Sequence, residues 1–293
     1  MNHYDAIIIG AGPAGAQCAL WLKQLGYEPC VIDAQPQAGG LLCDNPYPLS
    51  GMVCMAGQPS GQQLAADMQA TLLASQVCLK TSQRVTRIGR YHDQYLVESV
   101  APSGVSVLQT RHVVIASGVK ARDGGILASD RIMIGPGSRV HAHDWRGLRV
   151  AIVGGGDNAF ENFLFIRDRH ARSVHLFARS VHARQQFRKL VPAAAMTIGD
   201  YEVDAPKLAV NSQSFDRIVV MYGWEPRLDF TLDGLLRIDQ RGFVSTEPAS
   251  CETSVTNLYA IGEVAGRQHP SCATAMADGV VAAKAIQLRL ENS

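Results

Sequence analysis

The chain has no apolar run long enough to cross a bilayer, no excess of charge of either sign, no low-complexity segment and no short-period repeat. The first absence excludes a transmembrane helix of ordinary length. With 27 basic against 26 acidic residues, the basic footprint expected of a nucleic-acid-binding protein is missing. Seven cysteines stand at positions 18, 30, 43, 54, 78, 251 and 272, and none are paired at metal-ligand spacing. An odd, scattered set suits reduced thiols better than a zinc site or a disulfide framework. The N-terminus carries Asp5 inside an apolar strand instead of a cleavable signal, so a cytoplasmic location is expected. What remains is 293 residues, 47% apolar and 18% charged, enough for two ordinary globular cores.

Two glycine fingerprints lie in that length. Gly10-Ala11-Gly12-Pro13-Ala14-Gly15 follows the apolar run Ala6-Ile7-Ile8-Ile9, and Gly154-Gly155-Gly156-Asp157-Asn158-Ala159 follows Val150-Ala151-Ile152-Val153. In each, a strand turns sharply into a helix. The glycines permit the turn, let a pyrophosphate approach the backbone and allow close helix–strand packing. The helix N-terminus then offers free N–H groups and a positive dipole end to phosphates. One such match is weak evidence of a dinucleotide site. Two, both correctly framed, point to an electron relay.

The residues after each turn differ. Behind the first, a helix predicted over residues 17–25 leads to the strand Cys30-Val31-Ile32 and then Asp33, whose carboxylate can accept hydrogen bonds from ribose hydroxyls. Behind the second, the strand Val174-His175-Leu176-Phe177 ends in Ala178-Arg179-Ser180, with Arg184 and Arg188 beyond. A guanidinium there can pair with a 2′-phosphate, which distinguishes NADP from NAD. Any one of these arginines is as readily a solvated helix-start residue. Arg179, at the strand end itself, is the leading candidate.

The wider pattern is α/β: two Rossmann-like dinucleotide-binding domains, the second inserted in the first. Residues 1–118 and 226–293 form one domain and residues 119–225 the other. Gly39-Gly40-Leu41-Leu42 precedes a Pro- and Gly-rich loop over residues 45–60 and a helix over about 61–73. Short strands near residues 77–80, 84–90, 94–99 and 105–110 suggest a small antiparallel layer. The strand His112-Val113-Val114-Ile115 then ends in Ala116-Ser117-Gly118. Residues 217–221 close the inserted domain; Leu258-Tyr259-Ala260-Ile261 runs into Gly262-Glu263, and a last helix spans about 273–288.

Taken together, Gly10 to Gly15, Gly39-Gly40, Ala116-Ser117-Gly118, Gly154 to Ala159 and Ala260-Ile261-Gly262-Glu263 resemble the two-dinucleotide-binding-domain flavoproteins. With Arg267-Gln268 before the last helix, the chain is most similar within them to low-molecular-weight thioredoxin reductases and the related ferredoxin–NADP reductases. The resemblance spans nearly the whole chain. It implies an oxidoreductase with FAD in the discontinuous domain, NADPH (less readily NADH) in the inserted one, and a homodimer. It places Gly10, Gly12, Pro13, Ala14, Gly15, Asp33, Gly40, Leu41, Ala116 and Gly118 at FAD, with Glu263 after Gly262 on the ribityl hydroxyls. Backbone N–H groups of Ala273, Thr274 and Ala275 would face the flavin pyrimidine edge and stabilise negative charge there. Gly154, Gly156, Asp157, Asn158, Ala159, Arg179 and Arg184 would hold the second nucleotide. Glu263 replaces the family's usual Asp and is one methylene longer.

The departures bear on the reaction. Thioredoxin reductases carry a Cys-x-x-Cys pair shortly before the second fingerprint, where this chain has Gly135-Pro136-Gly137-Ser138-Arg139-Val140-His141-Ala142-His143-Asp144. The usual path from flavin to disulfide to thioredoxin is therefore absent. The ferredoxin-reductase branch lacks the same pair but usually adds a C-terminal extension over the flavin, whereas this sequence stops at Ser293, soon after its last helix. Between Arg179 and Arg217 the space suits little more than a helix and a short strand or two, where the family places a three-stranded meander; a pruned pocket could be adapted to another nucleotide, including a second flavin, though Arg179 and Arg184 favour NADPH.

Other residues keep rival readings open. Cys43 and Cys54 flank the loop after Gly39-Gly40, and a disulfide there could exchange electrons with FAD; two unlinked thiols are the simpler reading. Cys272 precedes the last helix and is ordinarily a small buried residue. His141 and His143 are spaced to share a strand face, yet lack a third metal ligand. His269 could donate a proton near the flavin or serve a structural bond. The expected function is electron transfer from NADPH through FAD to a small redox protein of ferredoxin or flavodoxin type, or to a small molecule. The alternatives are a dithiol oxidoreductase using Cys43 and Cys54 and a non-catalytic flavin-binding redox sensor. No nucleic-acid or membrane partner, and no metal, is expected.

Overall fold

The computed structural model describes residues 4–49, 52, 57–234, 236–267 and 269–292. The chain divides into two compact units, Met1–Val119 with Glu225–Ser293, and Lys120–Trp224. Among the described residues no helix is long and apolar enough to cross a membrane.

The first unit is built on a parallel sheet in the order Leu258–Ala260, His112–Ile115, Ala6–Ile9, Pro29–Ile32 and Cys78–Lys80. Its first four strands are buried at every residue, which explains their continuous apolar runs: both faces are covered. Helices Pro13–Gln24, Gly61–Ala74 and Cys272–Glu291 supply one cover, through Leu22, Leu72 and Ile286 packed against Ile8, Val31 and Val114. A four-stranded layer, in the order Thr231–Leu232, Arg84–Tyr91, Gln94–Ala101 and Gly104–Thr110, supplies the other through Val85, Ile88 and Val97. Residues 77–80 do not join this antiparallel layer as the sequence suggested. Cys78–Lys80 pairs in parallel with Pro29–Ile32 and is the edge of the main sheet; three residues are too few for periodicity to tell the two sheets apart.

The helix expected over residues 17–25 begins at Pro13 and ends at Gln24. It lies against the last helix at backbone distance, because a Cβ on Gly279 would stand 2.5 Å from the Ala14 carbonyl oxygen and 2.8 Å from the Cys18 nitrogen. That close approach, lined by Ala14, Cys18, Ala282 and Ala283, brings the last helix and the first fingerprint helix to one place.

The second unit repeats the scheme. Its parallel sheet runs Met196–Ile198, Ser173–Ala178, Arg149–Val153, Arg217–Val220 and Ile132–Ile134. Helix Asp157–Arg167 packs Phe160, Phe163 and Ile166 on one face. On the other, Leu208, Val210 and Phe215 come from a three-stranded antiparallel sheet of Val203–Asp204, Ala209–Val210 and Gln213–Ser214. The pruned reading of this region is thus corrected: the meander is present, with each strand cut to two residues. His141 and His143 are corrected as well. They lie in and just after the short helix Ser138–Ala142, His141 against the Phe165 ring and His143 against Trp145.

Candidate functional site

The first glycine turn is dictated by space. Gly10 has φ +107°, and a Cβ there would meet the Ala116 carbonyl oxygen at 2.3 Å; one on Gly15 would meet the Gly10 oxygen at 2.0 Å. The turn therefore nests against the Ala116-Ser117-Gly118 loop at the end of the neighbouring strand. The helix starts at Pro13, and its N-cap Gly12 carries no side-chain cap, so the first-turn N–H groups remain available to an anion.

Asp33 closes the other side of the turn. Its Oδ2 accepts the Ala11 N–H at 2.6 Å and its Oδ1 the Gln35 N–H at 2.7 Å. Burial pushes its pKa above the ordinary value, opposed by those two N–H bonds and by the charge of Arg227. Each oxygen keeps a second lone pair for a ribose hydroxyl. Arg227 was not foreseen as a site residue. Its carbonyl accepts the Ser117 hydroxyl at 2.5 Å and its N–H donates to the Gly118 carbonyl at 2.9 Å. Its buried Nε has no hydrogen-bond partner among the described residues. The Arg227 side chain also lines the adjoining cavity, where a guanidinium suits an anionic ligand.

That cavity, of about 730 Å3, lies wholly within the first unit. Gly10, Gly12, Pro13 and Ala14 line it along with Asp33, Gly40, Leu41, Ala116, Gly118 and Arg227; Gly262, Glu263, Cys272 and Ala275 line it too. Its size is within the range of nucleotide and cofactor pockets. Glu263 sits in a short 3-10 turn, Gly262–Ala265, and burial alone pushes its carboxyl above the ordinary value. A half-buried carboxylate with nothing to lower its pKa is a ready acceptor for hydroxyl donors.

The turn carrying Glu263 is fixed by an arrangement the sequence reading missed. Asp278, 7% exposed, accepts the Gly262 N–H at 3.0 Å and both Nε and a terminal nitrogen of Arg267 at 2.7 Å. Arg267 also donates to the Cys251 sulfur at 3.2 Å. One carboxylate on the last helix thus holds the strand-end turn and the segment leading into that helix. The i, i+4 pattern offered only a polar residue in an apolar stripe.

The last helix starts one residue earlier than the sequence suggests. A capping box at Ser271 and Thr274 begins the helix at Cys272. The Thr274 N–H is taken by the Ser271 hydroxyl at 3.1 Å and the Ala275 N–H by the Ser271 carbonyl at 3.0 Å. Of the three residues expected to face the cofactor, Ala275 lines the cavity, together with Cys272; the Ala273 and Cys272 N–H groups lie ahead of those engaged by the cap. Both thiols at the cavity, Cys43 and Cys272, are pushed up by burial, and Cys43 donates to the Ala38 carbonyl at 3.3 Å. Cys54 lies outside the described residues. His269 is exposed, and its carbonyl accepts from the Thr274 hydroxyl.

In the second unit the steric plan recurs. Gly154 has φ +147°, with a would-be Cβ 2.2 Å from the Met221 carbonyl oxygen, and Gly155 would place one 1.9 Å from that of Ser180. Gly156 is again an N-cap without a side-chain cap. Asp157 opens the helix and is held by Arg184, whose N–H and Nε reach its two oxygens at 2.7 and 2.6 Å. Asn158 gives its carbonyl to the Asn162 amide at 2.7 Å, and Ala159 is fully buried. Arg179 and Arg188 are exposed. Arg188 lines a separate hollow of about 420 Å3 with Phe160, Met196 and Ile198. Among the described residues no group of three or more His, Cys, Asp and Glu could hold a metal ion.

With this geometry in place, comparison with known proteins is informative. The model of the pyridine nucleotide-disulphide oxidoreductase family matches residues 4–201, a span that includes both glycine turns. The thioredoxin reductase of Borreliella burgdorferi is 25% identical, over 95% of this chain and 89% of that protein. The ferredoxin–NADP reductase of Limosilactobacillus fermentum is 29% identical, over 89% of this chain and 86% of its own length. Among solved structures, thioredoxin reductase from Lactococcus lactis superposes with a TM-score of 0.80 at 20% identity, over 99% of this chain and all of the other. The bacillithiol disulfide reductase of Bacillus cereus gives a TM-score of 0.80 at 17% identity, over 98% of this chain and 100% of the other, a likeness of fold. The chain is an oxidoreductase and belongs to the pyridine nucleotide-disulphide oxidoreductase family.

Proposed function

We propose that the unit Met1–Val119 with Glu225–Ser293 holds FAD, that Lys120–Trp224 takes NADPH, and that electrons leave for an external acceptor without a Cys-x-x-Cys relay. The acceptor is a small redox protein of ferredoxin or flavodoxin type, or a small molecule. The observation that carries this reading is the cavity at the first glycine turn. A helix N-terminus, the buried Asp33, the half-buried Glu263 and the Arg227 side chain line it together.

These residues fit an FAD molecule part by part. The first-turn N–H groups behind Gly12 suit the pyrophosphate, helped by the dipole of Pro13–Gln24. Arg227 adds a cation on the same cavity wall, and Asp33 accepts from the ribose. Glu263 accepts from ribityl hydroxyls, held in place by Gly262 and Asp278. The Cys272 and Ala273 N–H groups present a positive end for charge developing on the pyrimidine edge. When bound, FAD supplies the hydride acceptor for NADPH and the electron donor for the final acceptor. At the second turn, Arg179 supports a 2′-phosphate, because it is exposed at the strand end, whereas Arg184 is engaged by Asp157.

The thiols take no part in this scheme. Burial pushes the Cys43 thiol above its ordinary value, and its S–H is spent on a carbonyl, the opposite of an activated thiolate. The test is steady-state turnover of the FAD-loaded protein with NADPH. Ferredoxin, flavodoxin and ferricyanide are compared with thioredoxin disulfide as acceptors, in the wild type and in Cys43→Ser and Cys54→Ser. Turnover with the one-electron acceptors, unchanged in both variants, is expected. Loss of turnover in either variant would establish a dithiol mechanism instead, and no turnover with any acceptor would leave a flavin-binding sensor.

A further inference from the structure

Two cysteines outside the cavity face one another. Cys30 and Cys78 are register partners on adjacent parallel strands, Pro29–Ile32 and Cys78–Lys80. Side chains alternate along strands, so in-register partners point to the same face, here the apolar layer between the parallel sheet and the antiparallel one. The spacing of neighbouring strands, about 4.8 Å, falls within the Cα separation of roughly 4.4–6.8 Å that a disulfide spans. Cys30 is fully buried, whereas Cys78 is half-buried on the edge strand.

From this juxtaposition we propose that Cys30 and Cys78 form a dithiol that hydroperoxides oxidise to a disulfide, with Cys78 as the attacking thiolate and Cys30 as the resolving thiol. The surroundings divide the roles. Cys78, in register with Cys30, is held below its ordinary value chiefly by the neighbouring Cys30 thiol, against the opposing effect of burial. The Tyr4 phenol oxygen lies 3.3 Å from the Cys78 sulfur and can donate to it. Lys80, two residues along on the same face, adds positive charge, while Glu28 opposes it. Cys30 is pushed the other way, first by the neighbouring Cys78 sulfur and then by burial. The more accessible position on the edge strand and these surroundings favour Cys78 as the attacking sulfur, and burial favours Cys30 as the resolving thiol.

The chemistry balances. The Cys78 thiolate attacks the O–O bond, takes one oxygen to become a sulfenic acid, and releases the other as water or an alcohol once protonated. Cys30 then attacks the sulfenic sulfur; the S–O bond breaks, and the leaving hydroxide departs as water with the Cys30 proton. Two thiols lose two electrons, and the peroxide gains them. The strand pair so linked ends beside the cofactor cavity, since the Asp33 N–H donates to the Lys80 carbonyl at 2.9 Å.

The test treats the FAD-loaded protein with equimolar hydrogen peroxide at neutral pH, blocks free thiols and maps peptides without reduction. A peptide linked through Cys30 and Cys78 is expected, and it disappears in Cys78→Ser. In Cys30→Ser, Cys78 is trapped by dimedone as the sulfenic acid. Alkylation of wild-type Cys78 should outpace that of Cys43 and Cys272 by about tenfold or more. The two wild-type measurements do not depend on any variant folding. Oxidation of Cys43 or Cys272 ahead of the pair, equal alkylation rates, or peroxide-treated protein without the linked peptide would overturn the proposal.

Discussion

The two glycine turns share one geometry and differ in what stands behind it. Gly10 presses on the Ala116 carbonyl as Gly154 presses on that of Met221, and both helices start from an uncapped glycine. Behind the first, Asp33 is buried, bonded to backbone N–H groups and set beside Arg227 in a large cavity. Behind the second, the strand Ser173–Ala178 runs into the exposed Arg179, while Asp157, the first helical residue, is paired with the exposed Arg184. On the proposed reading, the turn supplies a phosphate site in either unit, and the residue at the end of the next strand selects the nucleotide.

The largest expected effect separates the two turns. Gly10→Ala and Gly154→Ala each force a Cβ onto a carbonyl oxygen at a positive φ, costing about 3 kcal/mol or more, read as a lower urea midpoint. Gly10→Ala should purify without flavin; Gly154→Ala should keep its flavin and lose reduction by NADPH. Equal flavin loss in both would erase the distinction drawn between them.

Asp278→Ala comes next. It strands the partly buried Arg267 and frees the Gly262 turn, costing about 2 kcal/mol, with weaker flavin retention in the same preparation. Arg227→Ala removes a charged donor from the cavity. Loss of a contact worth about 1.5–3 kcal/mol should raise the FAD dissociation constant about 10- to 100-fold, measured by fluorescence quenching of apoprotein, with the fold unchanged by circular dichroism.

A pH effect sharpens the role of Glu263. Burial raises its carboxyl above the ordinary value in the folded chain without cofactor, while hydroxyl donors favour the charged form. Cofactor binding then releases a proton. Affinity for FAD should be complete above the raised value and fall as pH drops through it. Glu263→Gln should flatten that part of the profile, leaving the slope contributed by Asp33, which burial also raises. The smallest effect concerns the second turn: Arg179→Ala should raise KM for NADPH about tenfold with NADH unaffected, and Arg184→Ala should do less.

The parts legible in the sequence are those where one backbone position admits one residue type. The glycine turns, the fully buried strands and Asp33 after the second strand all stand out on that ground. What escaped notice depends on contacts between distant segments. Arg227 acquires meaning only beside Ser117 and Gly118, and Asp278 only beside Gly262 and Arg267. The meander in the second unit was invisible because two-residue strands carry no alternation. The edge strand Cys78–Lys80 was read into the wrong sheet for the same reason, which also hid the pairing of Cys78 with Cys30. At the last helix, the Ser271 cap uses N–H groups that the resemblance implied for the cofactor.

The central claim is that the first turn holds the flavin and the second delivers electrons to it. Anaerobic stopped-flow mixing of the purified FAD-loaded protein with NADPH and, separately, NADH tests it most directly through bleaching of the flavin absorbance band. The account predicts full bleaching of the bound flavin, faster with NADPH than with NADH. No bleaching with either nucleotide would contradict it.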